Sequence, residues 1–295
     1  MTAPKLAAYF TEKQDDGRYY KSPFGAPNAV SVTSVLKGSN KDALVQWAAD
    51  MTALFFAERP DFALTREKAD AFQGARFAHN NVRDERGEVG NEVHRWVEAD
   101  LDGGWGYPDV WDADVQECID QYKLFLAAHE VKPLMTETTV WSEKNNNAGT
   151  LDFIAVIDGI VSLVDTKTSR NLWLEHEMQL AALENADYIC REVPEDTKGS
   201  VEFVVTDKDT KKKVSTFWVK EEMPKIERRG FLHLRPTYTD PITGQKMPPF
   251  WDLVWVVDED VPVLYEMFLG YNQVHAQKGV LSGLRKEREP SKINW

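Results

Sequence analysis

The segment from Gly149 to Ser169, GTLDFIAVIDGIVSLVDTKTS, sets two apolar runs on either side of Asp158-Gly159. An Asp-Gly pair between β-prone runs is the strongest short-range hairpin signal. With that pair as a two-residue turn, Ile157 faces Ile160, and stepping outward brings Asp152 opposite Asp165. Lys167 lies two residues past Asp165 and so points to the same face. The register therefore predicts two carboxylates and an ammonium on one sheet face, with Cβ atoms about 4.5–5.5 Å apart across the strands. Like charges directly opposite each other are destabilising, and both strands are otherwise apolar enough to be buried. A divalent cation held by hard oxygen ligands is the natural compensation. A purely structural ion triad is the weaker alternative, because a buried acid pair without a counter-charge is costly.

The rest of the chain can support such a buried site. At 295 residues it makes one large domain or two small ones, and a 42% hydrophobic content is ample for a core. Its two cysteines, Cys118 and Cys190, cannot build a Cys₄ zinc or iron–sulfur site and suggest a reducing compartment. The first twenty residues hold no apolar stretch of signal-peptide type. No run approaches the ~20 apolar residues of a membrane span. The expectation is a soluble, cytoplasmic protein without membrane contact. The net charge of −13 argues against a general electrostatic grip on nucleic acid, so any basic footprint must be local.

Residues 1–30 read as irregular, punctuated by Gly17, Pro23, Gly25 and Pro27. Apolar residues at helical spacing predict helices over 41–59, 65–80, 88–101 and 112–130. The helix over 88–101 carries the stripe Val89, Val93, Trp96, Val97 and Leu101, with Gly90, His94 and Glu98 in succession along its edge. From Lys132 the texture changes. Residues 136–142 alternate as a strand, 145–147 form a turn, and the hairpin follows. A helix is predicted over 172–189, a second hairpin from 201–206 and 214–219, strands over 231–235 and 250–257, and a closing helix over 261–276. The expected architecture is α/β, a mixed central sheet flanked by helices with a helical N-terminal portion. It divides into residues 1–130, mainly helical and supplying His94, a sheet core over 131–276, and a loose charged tail over 277–295. Together these form one compact domain.

Asp165-Thr166-Lys167, with Asp152 and the preceding Gly149 in a G-x-x-D arrangement, resembles the PD-(D/E)XK nuclease superfamily. The likeness is to its RecB-like exonuclease branch, which includes phage-encoded and mitochondrial genome-maintenance exonucleases. Gly90-x-x-x-His94 matches the helix on which that branch carries a metal-binding histidine. Gln179 falls where the branch has Q-x-x-x-Y. Ser31-Val-Thr-Ser34 and His233-Leu-Arg-Pro236 also resemble segments of phage members, and the likeness spans roughly residues 28–275. Two departures stand out: Leu183 occupies the position of the motif's tyrosine, with Tyr188 out of register to replace it, and the four cysteines of iron–sulfur-bearing relatives are missing, which implies no cluster.

The resemblance implies a nuclease core that hydrolyses phosphodiester bonds with one or two Mg²⁺ or Mn²⁺ ions, acting on DNA and probing ends or single strands in recombination, repair or replication. Asp152, Asp165 and the Thr166 carbonyl would be oxygen ligands. His94, a softer ligand, suits Mn²⁺. Lys167 would orient the attacking water or help deprotonate it, and would balance phosphate charge. Gln179 would position the scissile phosphate or a base. Glu98 and Glu137 are candidates for outer support of the metal, with Glu137 also a possible direct ligand. Arg235 and the basic run Lys211, Lys212, Lys213 are candidate DNA contacts. A solvated hairpin tip is the more ordinary explanation of that run. Two other functions stay open on sequence: a sequence-specific endonuclease, and a catalytically weak nuclease fold that serves as a DNA-binding recombination accessory.

Overall fold

Asp158 and Gly159 both have positive φ, 51° and 84°, as a type I′ hairpin turn requires. The computed structural model describes residues 11–288 apart from 15, 40–41, 60–67, 105 and 207–211. In it, strands β5 (Asn147–Ile157) and β6 (Ile160–Lys167) pair antiparallel in the register the turn dictates, from Ile157–Ile160 out to Phe153–Val164.

These strands lie inside a mixed sheet, eleven strands among the described residues. β4 (Val131–Ser142) runs antiparallel along β5. On its other side, β5 pairs first with β3 (Ala29–Ser31), in parallel through Asn147 and Ala148, and then with β6 from Phe153 onward. Gly149 to Asp152 fall between these two ladders, so the sheet has a notch beside Asp152. β6 continues in parallel into β10 (Arg228–Arg235), which pairs with β13 (Phe250–Trp255). On the far side of β4 come β7 (Tyr188–Val193), β9 (Lys213–Glu221) and β8 (Val201–Thr206).

Helices cover both faces, α2 (Asp42–Glu58) packs on the long helix that follows it, and β11 (Tyr238–Thr239) with β12 (Lys246–Met247) forms a separate two-stranded ladder. α3 (Lys68–Leu101) and α4 (Ala113–Ala128) bury Val89, Val93, Val97, Val115, Ile119, Tyr122 and Phe125 against Phe153, Ala155, Val164 and Leu232. Asp112 caps α4 through its carboxylate, which accepts from Asp114 N. The opposite face packs α1 (Val32–Leu36), α5 (Leu174–Glu184) and α6 (Val261–Arg288) over Leu151, Ile154, Leu163 and Phe231. Buried Arg229 of β10 fixes the end of α5: its Nε and Nη2 donate to the two Glu184 carboxylate oxygens at 2.7 Å each.

Several expectations need correction. Residues 1–10 of the stretch expected to be irregular lie outside the described residues, but beyond them β1 (Thr11–Gln14), β2 (Gly17–Tyr20) and β3 extend the same sheet, so the N-terminal portion mixes strands with helices. Their shortness and the surrounding Gly and Pro hid the period-two signal. The helices expected over 65–80 and 88–101 are one continuous helix, α3; the intervening polar residues leave it without an apolar stripe there, not without helical backbone. The helix expected over 172–189 ends at Glu184, and Tyr188 and Ile189 begin β7. The closing helix runs to Arg288, well into the segment expected to be loose. Among the described residues no helix is long and apolar enough to cross a membrane.

Candidate metal centre

The site is built at the notch. The β5–β6 ladder ends at Phe153–Val164, and one step further the Asp152 carboxylate takes the place of a strand partner: the Thr166 N–H donates to Asp152 Oδ2 at 2.7 Å. Thr166, expected to offer its carbonyl, thus also holds an acid in position through its N–H. Asp165 is buried, and its Oδ2 is in ion-pair contact with Lys167 Nζ. That same oxygen accepts no hydrogen bond of ordinary geometry. With the Lys167 ammonium as its one close partner, this buried oxygen keeps acceptor capacity that a cation could use.

His94 reaches the notch from α3, with Nδ1 3.1 Å from Asp152 Oδ2. Its approach depends on Gly90, one turn earlier, where a Cβ would lie 3.2 Å from Thr168 Oγ1. An added Cβ would require the Thr168 side chain to give way by a few tenths of an ångström, so glycine lets the helix sit close on the end of β6. Gly149 plays the matching part on the other layer. A Cβ on it would lie 2.4 Å from Leu183 Cδ2 and 3.5 Å from Val32 Cγ2. Leu183, which stands where the motif would have tyrosine, is buried as the core contact that seats α5 on β5.

Glu137, expected as outer support or as a direct ligand, stands at the centre itself. It sits in β4 between Thr136, paired with Phe153, and Thr138, paired with Leu151, but its backbone is left-handed at φ 42°. Such a conformation is strained for a residue with a side chain, and such strain collects at functional sites. His94, Glu137 and Asp152 each offer one ligand atom, and these atoms all lie within 4.8 Å of one another. The signal in sequence was the β4–β5 hairpin register, which sets Glu137 across from Asp152. The left-handed break was not readable.

The electrostatics are those of a tightly charged, partly dry site. Burial works to depress His94, but the Asp152 charge and hydrogen bond overcome it and hold its pKa up at about 9. Burial works to raise Asp152, and His94, Lys167 and the Thr166 N–H together keep it below the ordinary carboxylate range. Asp165 is pushed up to about 6 by burial and the Asp152 charge, against the pull of Lys167 and His94. Lys167 is raised by Asp165 and Asp152 despite its burial, so it is an ammonium at neutral pH. A divalent cation fits this donor set: one imidazole and two carboxylates that converge, with the buried Asp165 and the Lys167 ammonium beside them.

The remaining candidates lie at different distances from this centre. Glu98 is on α3 one turn beyond His94, and His94 pairs with Asp152 rather than with it. Gln179 is half-buried on α5, and no hydrogen bond joins it to the centre among the described residues. Arg235 ends β10 with its guanidinium 4.2 Å from the Phe250 ring centroid and its Nε buried without a hydrogen-bond partner. Two residues earlier, His233 Nε2 donates to the Ser169 carbonyl at 2.6 Å, consistent with a structural role. Lys212 and Lys213 are carried to the outer edge of the sheet, with β4 and β7 between β9 and β5, and are not brought to the centre. Lys211 lies outside the described residues. The chain matches no protein-family model and no curated protein.

Proposed function

We propose that this protein is a divalent-metal-dependent nuclease that hydrolyses DNA phosphodiester bonds from ends. The observation that carries the reading is the convergence of His94, Glu137 and Asp152 on one point, beside a buried Asp165 and a charged Lys167. An imidazole and carboxylates around a notch within the sheet suit Mg²⁺ or Mn²⁺, and the D-x-K order on β6 suits phosphoryl chemistry.

His94, Glu137, Asp152 and Asp165 would hold the ion. Bound there, Mg²⁺ or Mn²⁺ would supply Lewis acidity toward the phosphoryl oxygens and a more acidic water. Lys167 stays protonated, so its part is to orient the attacking water and neutralise charge developing on the phosphoryl group, not to remove a proton. The Thr166 N–H keeps the Asp152 carboxylate aimed into the notch. Gln179 and Arg235 are the residues to hold the substrate strand, one from each neighbouring element.

The test is incubation of purified protein with 5′- and 3′-labelled linear DNA, single- and double-stranded, and with circular DNA and RNA, in Mg²⁺, Mn²⁺ or chelator. The expected result is metal-dependent release of short products from linear DNA, with circles spared. Cleavage in chelator, or activity unchanged in Asp165→Ala, would overturn the reading. Discrete fragments from circles would point to an endonuclease, and tight binding without turnover in any metal to a DNA-binding accessory.

A further inference from the structure

Beyond Lys167 two arginines are seated on aromatic rings. β6 and β10 run parallel, with Asp165 beside Phe231 and Lys167 beside His233, and such partners face the same side of the sheet. Arg235 follows His233 by two residues and shares that face, one row past the level of Lys167 and about 6.6 Å further along the strands. Its guanidinium lies 4.2 Å from the Phe250 ring centroid. The Nε is buried without a hydrogen-bond partner, and among the described residues no carboxylate pairs with this side chain. Asp252, the acid across β13 on the same face, stands opposite His233 and is exposed. His233 Nε2 donates to the Ser169 carbonyl at 2.6 Å, which brings the next residue, Arg170, to the same strand ends. Arg170 is half exposed, with its guanidinium 4.5 Å from the Tyr238 ring centroid and Nη1 donating to the Tyr238 hydroxyl at 3.0 Å. Its contact with an acid is loose, 3.6 Å from Nη2 to Asp240 Oδ2.

We propose that Arg235 and Arg170 form a phosphate-binding subsite, filled by the phosphodiester that neighbours the one at the metal centre. Arginine does not shed its charge in a protein, so a guanidinium with a buried, unused donor calls for an anion. Among the described residues none is supplied to Arg235. Stacking on Phe250 occupies the face of the guanidinium and fixes its plane. The in-plane N–H donors are left to form the fork that grips a phosphate. Tyr238 orients Arg170 in the same way. The carboxylate near Arg170 is engaged elsewhere, since Asp240 Oδ1 accepts from the Ile242 and Thr243 N–H groups, and a contact that loose on an exposed side chain yields readily to a phosphate. Two guanidiniums held on rings also give a chain of net charge −13 a local grip on a polyanion, without a general basic field. That the anion is a substrate phosphate rests on the nuclease reading, and the one-row offset from Lys167 suits the step between neighbouring phosphates of an extended strand.

The test is binding of a labelled single-stranded oligonucleotide to the full chain in chelator, read by fluorescence anisotropy over a series of salt concentrations. Each phosphate contact contributes about −0.7 to the slope of log K against log salt. Arg235→Gln and Arg170→Gln are each expected to make the slope shallower by about 0.7, and the double variant by about 1.4. Arg235→Lys is expected to bind more weakly with the wild-type slope, because the slope counts neutralised phosphates and not hydrogen bonds; an arginine that only supports the fold would give no such split. In a second arm, one uncharged methylphosphonate linkage is walked inward from either end of the oligonucleotide. At one position it is expected to weaken binding by the wild type and to have no effect on Arg235→Gln. No binding by the wild type, unchanged slopes in both glutamine variants, or no linkage at which the two losses overlap would overturn the proposal. The outcome is separable from the proposed function. Cleavage of linear DNA with unchanged slopes removes the subsite alone, whereas the expected slopes without cleavage in any metal keep the subsite and remove the nuclease.

Discussion

His94 Nδ1 lies 3.1 Å from Asp152 Oδ2, which joins a helix of one layer to a strand of the sheet through a single charged contact. The contact helps to raise His94 and to lower Asp152, and it places an imidazole beside the two acids and the ammonium of the hairpin. The behaviour expected of the site follows from it.

Lys167 sits in ion-pair contact with buried Asp165 and is held in its charged form. Lys167→Ala is expected to lower kcat on linear DNA by about 10²–10³-fold, the loss typical when one preorganised charge-stabilising group is removed. Metal binding, followed by calorimetric titration with Mn²⁺, is expected to persist. Equal losses in kcat and in metal affinity would instead make Lys167 a structural member of the ion cluster.

Removing a carboxylate separates metal binding from fold. Asp165→Asn and Glu137→Gln are each expected to reduce the shift in Tm that saturating Mn²⁺ produces. A ligand at a hundred times its Kd stabilises by about 2.7 kcal/mol, so the wild-type shift is readily measured. In chelator, Asp165→Asn is expected to match or exceed the wild-type Tm, because a buried acid raised to about 6 is a destabilising anion at neutral pH. A large fall in Tm for the chelated variant would show that Asp165 is held by interactions other than a metal.

The pH dependence of the chelated protein follows from the directions of three shifts. His94 is raised from 6.5 to about 9. Its stabilising contribution is complete below 6.5 and is lost as pH rises through 9. Asp165 is raised from 3.8 to about 6 and loses its contribution as pH rises across that window. Asp152 is lowered, so its contribution is present above 3.8 and fades as pH falls below it. Wild-type Tm in chelator is therefore expected to decline between pH 6.5 and 9 more steeply than that of His94→Asn. Parallel curves for the two proteins would refute the assignment.

Gly149 tests the fold beneath the site. Gly149→Ala puts a methyl group against Leu183 Cδ2 in a filled core, and a destabilisation of about 1–3 kcal/mol is expected from overpacking. Leu183→Ala opens the space, so the double variant is expected to be more stable than the sum of the two single losses, by urea denaturation. Simple additivity would mean that the two residues do not meet.

The hairpin was legible because everything that fixes it is local. Two positive-φ residues define the turn, the turn defines the register as far as Phe153–Val164, and the same period points on to Asp152, Asp165 and Lys167, although the ladder stops one step before the expected Asp152–Asp165 pair and Asp152 accepts from the Thr166 N–H instead. The stripes of α3 and α4 were legible for the same reason, since helical spacing alone selects the buried residues. The sequence alone thus determined three members of the site and the layers around it. What only the tertiary structure decided is which side chains from other elements complete it. His94 meets Asp152 and not its helical neighbour Glu98, because α3 comes down on β6 at Gly90. Glu137 enters because β4 turns left-handed opposite Asp152, and Lys213 stays out because β9 joins the sheet with two strands between it and β5. These placements are set by close approach between elements distant in sequence, which pattern and spacing within one element do not encode.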